Sequence, residues 1–159
     1  AYGRTKGFVY EGGIRIPLIA SWPNNIKPGT TTEHISAFYD MMPTFCDIAG
    51  IAPPKDIDGI SFKPLLLGEK QEKHDFLYWE FPSYQGQQAV RMGKWKGVRK
   101  NIFKGNLAIE LYNLETDLQE MNDVSKQFPT IVKAIDSIMK QEHVPAENAS
   151  FRFKQLGDK

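Results

Sequence analysis

The chain has 159 residues, the size of a single domain, and its 20 basic and 19 acidic residues leave a net charge of +1. That balance gives no reason to expect a nucleic-acid partner, and a 41% share of hydrophobic residues excludes wholesale disorder. No apolar run approaches the roughly 18 residues of a membrane span, so no membrane partner is expected. The one cysteine, Cys46, excludes an internal disulfide framework and a cysteine-cluster zinc site.

The first half of the chain predicts few regular elements. A short apolar run at residues 14–21 predicts a strand buried on both faces, and residues 33–38 predict a second short strand. Asp40 is the expected N-cap of a short helix that ends at Gly50. The apolar face of that helix is formed by Phe45, Ile48 and Ala49.

The pattern changes after Gly68, where a proline- and glycine-punctuated stretch ends. Four strands are predicted in the second half, at residues 76–81, 88–92, 95–99 and 107–114. Helical periodicity follows, with one apolar stripe made of Phe128, Ile131, Val132, Ile135, Ile138 and Met139. The second half is therefore predicted to be a four-stranded antiparallel sheet packed with a C-terminal helix.

A series of motifs identifies a family. Residues 6–17 read KGFVYEGGIRIP, which resembles the K-x-x-x-Y-E-G-G-x-R-x-P segment of arylsulfatase-type sulfatases in the alkaline-phosphatase-like superfamily. Further matches follow in family order and cover roughly residues 1–125, among them Trp22-Pro23, Asp40-Met-Met-Pro43, Asp58-Gly59, Trp95-Lys96 and, at the end, Asp117, Glu120 and Asn122. Each motif alone is weak, but the ordered set is specific.

The resemblance implies an α/β (α+β) fragment of a sulfatase. Residues 1–68 would be an incomplete strand–helix piece of the large sulfatase domain, and residues 69–159 the small C-terminal sheet-and-helix subdomain. The chain begins inside the lysine loop of the family, so we expect it to be a C-terminal portion with most of the active site missing. Its expected partner is then the remaining N-terminal part of the enzyme, and unpaired apolar edges favour self-association of the isolated fragment.

The resemblance also implies hydrolysis of sulfate esters. In the family, a formylglycine hydrate attacks sulfur, a calcium ion polarises the sulfate, and Lys and His side chains neutralise it. Lys6 aligns with the lysine that binds sulfate oxygens beside the leaving group, and it is the predicted catalytic residue. Glu11 and Arg15 match the same motif and are interpreted as an ion pair or loop brace.

The nucleophile and the metal ligands have no match on this chain. Cys46 lies in the sequence TFCDI, without the arginine and spacing of the family nucleophile motif, and is predicted to be a small core residue. Asp56 and Asp58 lie in a proline-rich turn without a third ligand. His34, His74 and His143 are in three separate segments. Calcium and formylglycine are therefore expected in the complete enzyme, and neither is expected to be held by this chain.

A second feature concerns substrate. Between Glu80 and Glu110 the charged residues are all basic, namely Arg91, Lys94, Lys96, Arg99, Lys100 and Lys104. Such a hairpin beside aromatic residues suits a sulfated carbohydrate, although lysines that protect an edge strand give the same pattern. In related sulfatases this region approaches the mouth of the pocket, so Glu80, Gln88 and Arg91 are candidate substrate-binding residues.

Two other classes of function remain open. One is a carbohydrate-binding or interaction module without chemistry, and the other is a phosphomonoesterase or phosphonate hydrolase relative. The segment Tyr10–Gly13 favours a sulfatase over the phosphatase, and the binding module gives no reason for the Lys6 loop or for a first half that cannot close its own core. Family members are usually exported, so the expected location is the periplasm or outside the cell.

Overall fold

The computed structural model describes residues 6–159, and it divides into two compact units. One unit combines the described residues through Ile16 with Phe76–Lys159, and the other is Pro17–Asp75. The boundary predicted between residues 68 and 69 differs from this division, because the segment before Ile16 packs against the sheet of the second half.

The predicted sheet is confirmed. Its four strands run antiparallel in the order β1-β2-β3-β4, which makes β2 and β3 the central pair. The strands are β1 (Leu77–Phe81), β2 (Gln87–Met92), β3 (Trp95–Lys100) and β4 (Ile109–Asn113).

One face of the sheet is covered by the predicted helix α4 (Pro129–Glu142). Ile135 and Met139 are fully buried against Val90 and Leu111 of the sheet. The helix approaches so closely that a Cβ added to Gly97 of β3 would lie 2.6 Å from the Ile135 Cγ2 atom. A glycine is therefore needed at this point of the central strand.

The opposite face of the sheet is covered by the segment before Ile16, for which the sequence predicts only a loop. Val9 and Tyr10 are buried in a cluster with Ala89, Val98 and Tyr112. A single helical turn, α1 (Glu11–Ile14), follows this segment. Both faces of the sheet are thus buried, which explains why β2 and β3 are enclosed over most of their length.

The second unit contains α2 (Met41–Ala49) and α3 (Lys63–Leu66). Gly50 ends α2 in the left-handed conformation, as predicted. Asp40 precedes α2, but its carboxylate does not cap that helix. It accepts hydrogen bonds from the backbone N–H of Ala37 (2.7 Å) and of Ile60 (2.9 Å), and it contacts the His74 ring at 2.8 Å. Asp40 therefore braces the unit across its length.

The two strands predicted in the first half are wrong. Residues 15–21 and 31–37 have no regular secondary structure, and Ile14 ends α1. A strand depends on a neighbour for its hydrogen bonds, and no strand pairs with these residues in the part of the chain that the structure describes. Pro17 also lacks the N–H that a ladder requires.

The predicted apolar face of α2 is not buried. Phe45 and Ile48 are exposed, whereas Cys46 is buried as predicted. Ile19, beyond Pro17, is 92% exposed. Among the described residues, no helix has the length and apolar character needed to cross a membrane.

One histidine connects the segment after α4 to the edge strand β1. His143, which follows α4, contacts Glu80 of β1 through Nδ1 (2.8 Å) and Asp158 through Nε2 (2.7 Å). Asp158 also accepts a hydrogen bond from the Phe153 N–H at 2.7 Å. Burial disfavours the charged imidazole, but the bonds to Asp158 and Glu80 outweigh it and raise the pKa of His143.

We expect Ile135→Asp to unfold the sheet unit. It removes a fully buried side chain and places a charge against Gly97, which together cost more than about 4 kcal/mol. Urea unfolding followed by circular dichroism measures the loss. Ser137→Asp, on the exposed face of the same helix, is the control and should change stability by at most about 0.5 kcal/mol. Equal, small effects of the two variants would show that α4 does not pack on the sheet.

The His143 contacts predict a pH dependence. Because its folded pKa is raised above 6.5, the histidine stabilises the fold fully below pH 6.5, and this stabilisation is lost as pH rises through the folded value. The urea midpoint should therefore fall on the alkaline side, and His143→Gln should remove that fall. His34→Gln is the control, because burial lowers the pKa of His34. An alkaline fall that persists in His143→Gln would contradict the assignment.

Candidate functional site

Lys6, the predicted catalytic residue, is exposed at the start of the described chain. The backbone directly after Lys6 packs against the Tyr84 ring. Gly7 has a φ of +99°, and a Cβ there would lie 2.4 Å from the Tyr84 ring, so both conformation and space require glycine. The next residue, Phe8, packs on the same Tyr84 ring at 4.9 Å between centroids. The lysine thus projects from a closely packed loop.

A shallow groove of about 240 Å³ lies beside this loop. One wall is formed by residues 7–9 with Gly13 and Ile14, and the other wall by residues 79–81 of the edge strand β1. The groove is smaller than the roughly 300–1,000 Å³ of sites that enclose a drug-sized ligand. By itself it has room for one small group beside the backbone that follows Lys6.

The loop is anchored by a buried ammonium group. The Lys96 side chain is completely buried, and its Nζ lies 2.8 Å from Glu11 Oε1 and 3.1 Å from Glu120 Oε1. The Glu11 N–H also donates to Glu120 Oε2 at 2.6 Å. Arg15 and Arg91 each lie 3.9 Å from Glu11 Oε2. The predicted ion pair between Glu11 and Arg15 is therefore present, but the shortest ion pair of Glu11 is with Lys96.

A buried glutamine holds the same loop at its other end. Gln87 of β2 is 1% exposed, and its amide Nε2 donates to the Gly7 carbonyl at 3.0 Å. Its Oε1 accepts from the Val9 N–H at 3.3 Å. The side chain thus spans Phe8 and satisfies two backbone groups that the sheet does not pair. Gln87, Lys96 and Glu120 together fix residues 7–11.

The carboxylates around this loop differ in their proton affinity. Burial raises the pKa of Glu120, although Lys96 and the Glu11 N–H oppose the rise. Burial has the same effect on Glu110, but hydrogen bonds from Lys100, Tyr10 and Tyr112 outweigh it and lower the pKa of Glu110. Glu110 is therefore held as a carboxylate on the loop-covered face.

The predicted substrate residues do not converge. Glu80 and Gln88 are bonded to each other at 2.9 Å, and both also contact the Tyr78 hydroxyl. Gln88 is completely buried, and it accepts from Arg99 at 2.8 Å. Arg91 lies on the other face of the sheet, beside Glu11. Only Glu80 lines the groove, and the substrate role of all three stays a prediction.

The basic hairpin is largely neutralised. Arg99 bonds to Asp136 of α4 at 2.6 Å, Lys100 lies 2.6 Å from Glu110, and Lys96 is buried between two glutamates. Lys94 lies 3.7 Å from Glu115. Lys94, Lys96 and Lys100 therefore do not form an unpaired cationic face, because acidic residues from elsewhere in the chain pair with all three.

The described residues do not fit a calcium site or a formylglycine precursor. Across residues 6–159, no group of three or more His, Cys, Asp or Glu side chains could hold a metal ion. Cys46 is buried in α2. His74 is occupied with Asp40, and His143 with Glu80 and Asp158. The described residues are therefore assigned no role as calcium ligands or as the formylglycine precursor.

Comparisons with known proteins agree with this geometry. Residues 4–145 match the family model described as N-sulphoglucosamine sulphohydrolase, C-terminal. The chain is 32% identical to an N-acetylglucosamine-6-O-sulfatase of Bacteroides thetaiotaomicron over 94% of its own length, and 43% identical to human arylsulfatase A over 57%. It covers 29% and 18% of those two proteins.

A solved structure extends the likeness to the fold. BT4656, in complex with its substrate D-glucosamine-2-N,6-O-disulfate, superimposes with a TM-score of 0.71 at 26% identity. The match covers 94% of this chain and 30% of that one. The loop brace, the antiparallel sheet and the family match over most of the sequence lead to one conclusion: the chain belongs to the N-sulphoglucosamine sulphohydrolase C-terminal family, the C-terminal portion of sulfatases.

Proposed function

We propose that this chain is the C-terminal part of a sulfuric ester hydrolase that cleaves sulfate esters of a sulfated carbohydrate. The observation that carries the proposal is the lysine loop, in which Lys6 projects from a backbone fixed by Gln87, Lys96 and Glu120. Fixed loops suit catalytic groups, because a charge must be positioned before the reaction begins.

The substrate class is supported by the relatives. The N-acetylglucosamine-6-O-sulfatase is named for a sulfated glucosamine, and BT4656 holds a disulfated glucosamine. In this chain the groove beside the loop that follows Lys6 includes Trp79. An aromatic side chain is suited to the face of a sugar ring. Arylsulfatase A is also a relative, and its name specifies no sulfated glucosamine. The relatives therefore do not define the particular substrate of this chain.

The proposed role of Lys6 is electrostatic. Cleavage of a sulfate monoester moves negative charge onto the oxygen of the leaving group. An ammonium held beside the sulfate stabilises that charge as it develops, and its compact shape fits a single oxygen. The exposed side chain of Lys6 leaves its Nζ available for such a contact.

The remainder of the reaction is assigned to the part of the enzyme that this chain does not contain. In the complete enzyme, as the family resemblance implies, formylglycine would supply the attacking oxygen and calcium would polarise the sulfate. The phosphomonoesterase or phosphonate hydrolase relative and the non-catalytic module are disfavoured, because the matching family model describes a sulphohydrolase. The proposal also includes export to the periplasm or the cell exterior, as in the family.

The proposed partner of this chain is the N-terminal part of the same enzyme. The support is the set of large apolar side chains that the second unit exposes, among them Ile19, Phe38 and Phe45. Such side chains favour association. Without that partner, the isolated chain is expected to self-associate through them.

Lys6→Ala tests the proposal in the full-length enzyme, with an aryl sulfate as the substrate. Turnover should fall about 10²–10³-fold, because one positioned cation is lost. Lys6→Arg should not restore it fully, because a planar guanidinium does not replace a compact ammonium. The melting temperature should not change, since Lys6 is exposed.

Lys27→Ala, which removes an exposed lysine in the other unit, is the matched control and should retain turnover. The 159-residue chain alone should not hydrolyse the aryl sulfate, with or without calcium. Unchanged turnover in Lys6→Ala would remove Lys6 from the site. Calcium-dependent turnover by the 159-residue chain would contradict the assignment of the nucleophile to another part of the enzyme.

A further inference from the structure

We infer that Gln87 is a positioning residue, which acts on the reaction by fixing the backbone that carries Lys6. This inference rests on the proposed function. Gln87 lies far from the lysine motif in sequence but is bonded to it in space, because its two bonds to the loop have sequence separations of 78 and 80.

The first step of the argument is the geometry of the glutamine. Its Nε2 donates to the Gly7 carbonyl, and Gly7 is joined to Lys6 by one peptide bond. Its Oε1 accepts from the Val9 N–H. One side chain therefore binds the backbone on both sides of Phe8, so the loop cannot shift along the sheet without losing a buried hydrogen bond.

The second step is that the far end of the loop is fixed independently. Glu120 accepts from the Glu11 N–H, and Lys96 lies within 3.1 Å of both glutamates. Loss of these contacts would strongly destabilise the fold, because a buried ion would be left without its partner. With residue 11 fixed in this way, Gln87 determines the path of residues 7–9.

The third step is that the loop has little room for an alternative path. Gly7 lies against the Tyr84 ring, where a single added Cβ would be 2.4 Å from a ring carbon. Phe8 packs on that same ring. A loop released by Gln87 would therefore move toward the groove side, and Lys6 would move with it.

Gln87→Met is the test, since methionine keeps the length of the side chain and removes both hydrogen bonds to the loop, together with a longer bond from Nε2 to the Ser83 carbonyl at 3.4 Å. In the full-length enzyme, kcat for an aryl sulfate should fall about 10²-fold, with a smaller change in KM, because a displacement of about 1 Å is sufficient for such a loss. The decisive readout is a double-mutant cycle with Lys6→Ala. If Gln87 acts through Lys6, Gln87→Met should have little further effect on kcat once Lys6 has been removed.

Thr44→Val is the matched control. It also removes two buried hydrogen bonds, with the Asp40 carbonyl and the Phe62 N–H, but in the other unit. Its kcat should match the wild type. Gln87→Glu keeps the acceptor for Val9 and loses the donor to the carbonyls of Gly7 and Ser83, so it provides a second variant if Gln87→Met does not fold.

Amide hydrogen exchange separates this inference from the proposed function. In Gln87→Met, exchange at Val9 should become about fivefold faster, as expected for the loss of one net hydrogen bond, while Val98 on β3 stays protected. Unchanged exchange at Val9, or additive losses of kcat in the cycle, would overturn the role of Gln87. Absence of sulfatase activity in the wild-type enzyme would instead overturn the proposed function, whatever the exchange result.

Discussion

The ammonium of Lys96 is the constraint on which the arrangement of this chain depends. A lysine with no solvent exposure is stable only when carboxylates surround it, and here Glu11 and Glu120 supply them. Glu11 lies beside the lysine loop, and Glu120 follows the last strand of the sheet. One buried charge therefore joins the sheet, the loop and the segment beyond β4.

The central strand β3 carries one buried basic side chain on each face of the sheet, and each of them pairs with an acidic residue of the segment that covers that face. Lys96 and Arg99 are three residues apart, so their side chains emerge on opposite sides of the sheet. Lys96 holds the loop on one face, and Arg99 holds α4 on the other face through Asp136. Gly97, between them, allows the helix to approach closely. The two coverings of the sheet are thus set by three residues of one strand.

The sheet and its helix could be predicted because their signals are local. Strand alternation, hairpin turns and the stripe that contains Ile135 and Met139 each arise within one segment. The strand predicted at residues 14–21 failed for the opposite reason. An apolar run indicates burial, but a strand forms only where another strand offers hydrogen bonds, and the described chain offers none there.

The site could be predicted only in part. The family motif predicts the brace at Glu11, and the role of Lys6 stays a prediction from the same motif, whereas neither the contacts of Gln87 nor the burial of Lys96 is predicted. The run of basic residues from Arg91 to Lys104 is compatible in sequence with a carbohydrate-binding hairpin or with a protected edge strand, since no acidic residue is near in sequence. The carboxylates that pair with these basic residues can lie far away in sequence. Glu11, for example, is 85 residues from Lys96. A signal was available, because Glu11, Lys96 and Glu120 all lie within the family motifs.

The most direct measurement is the free energy of unfolding of Lys96→Met beside that of Lys100→Met. Both variants remove a lysine of β3 that pairs with a glutamate, but the Lys100 side chain is 36% exposed and that of Lys96 is not exposed. Lys96→Met leaves two buried carboxylates without their cation and should cost about 3–5 kcal/mol. Lys100→Met should cost no more than about 1 kcal/mol. Similar losses below about 1 kcal/mol for both variants would contradict a buried Lys96 as the anchor of the loop.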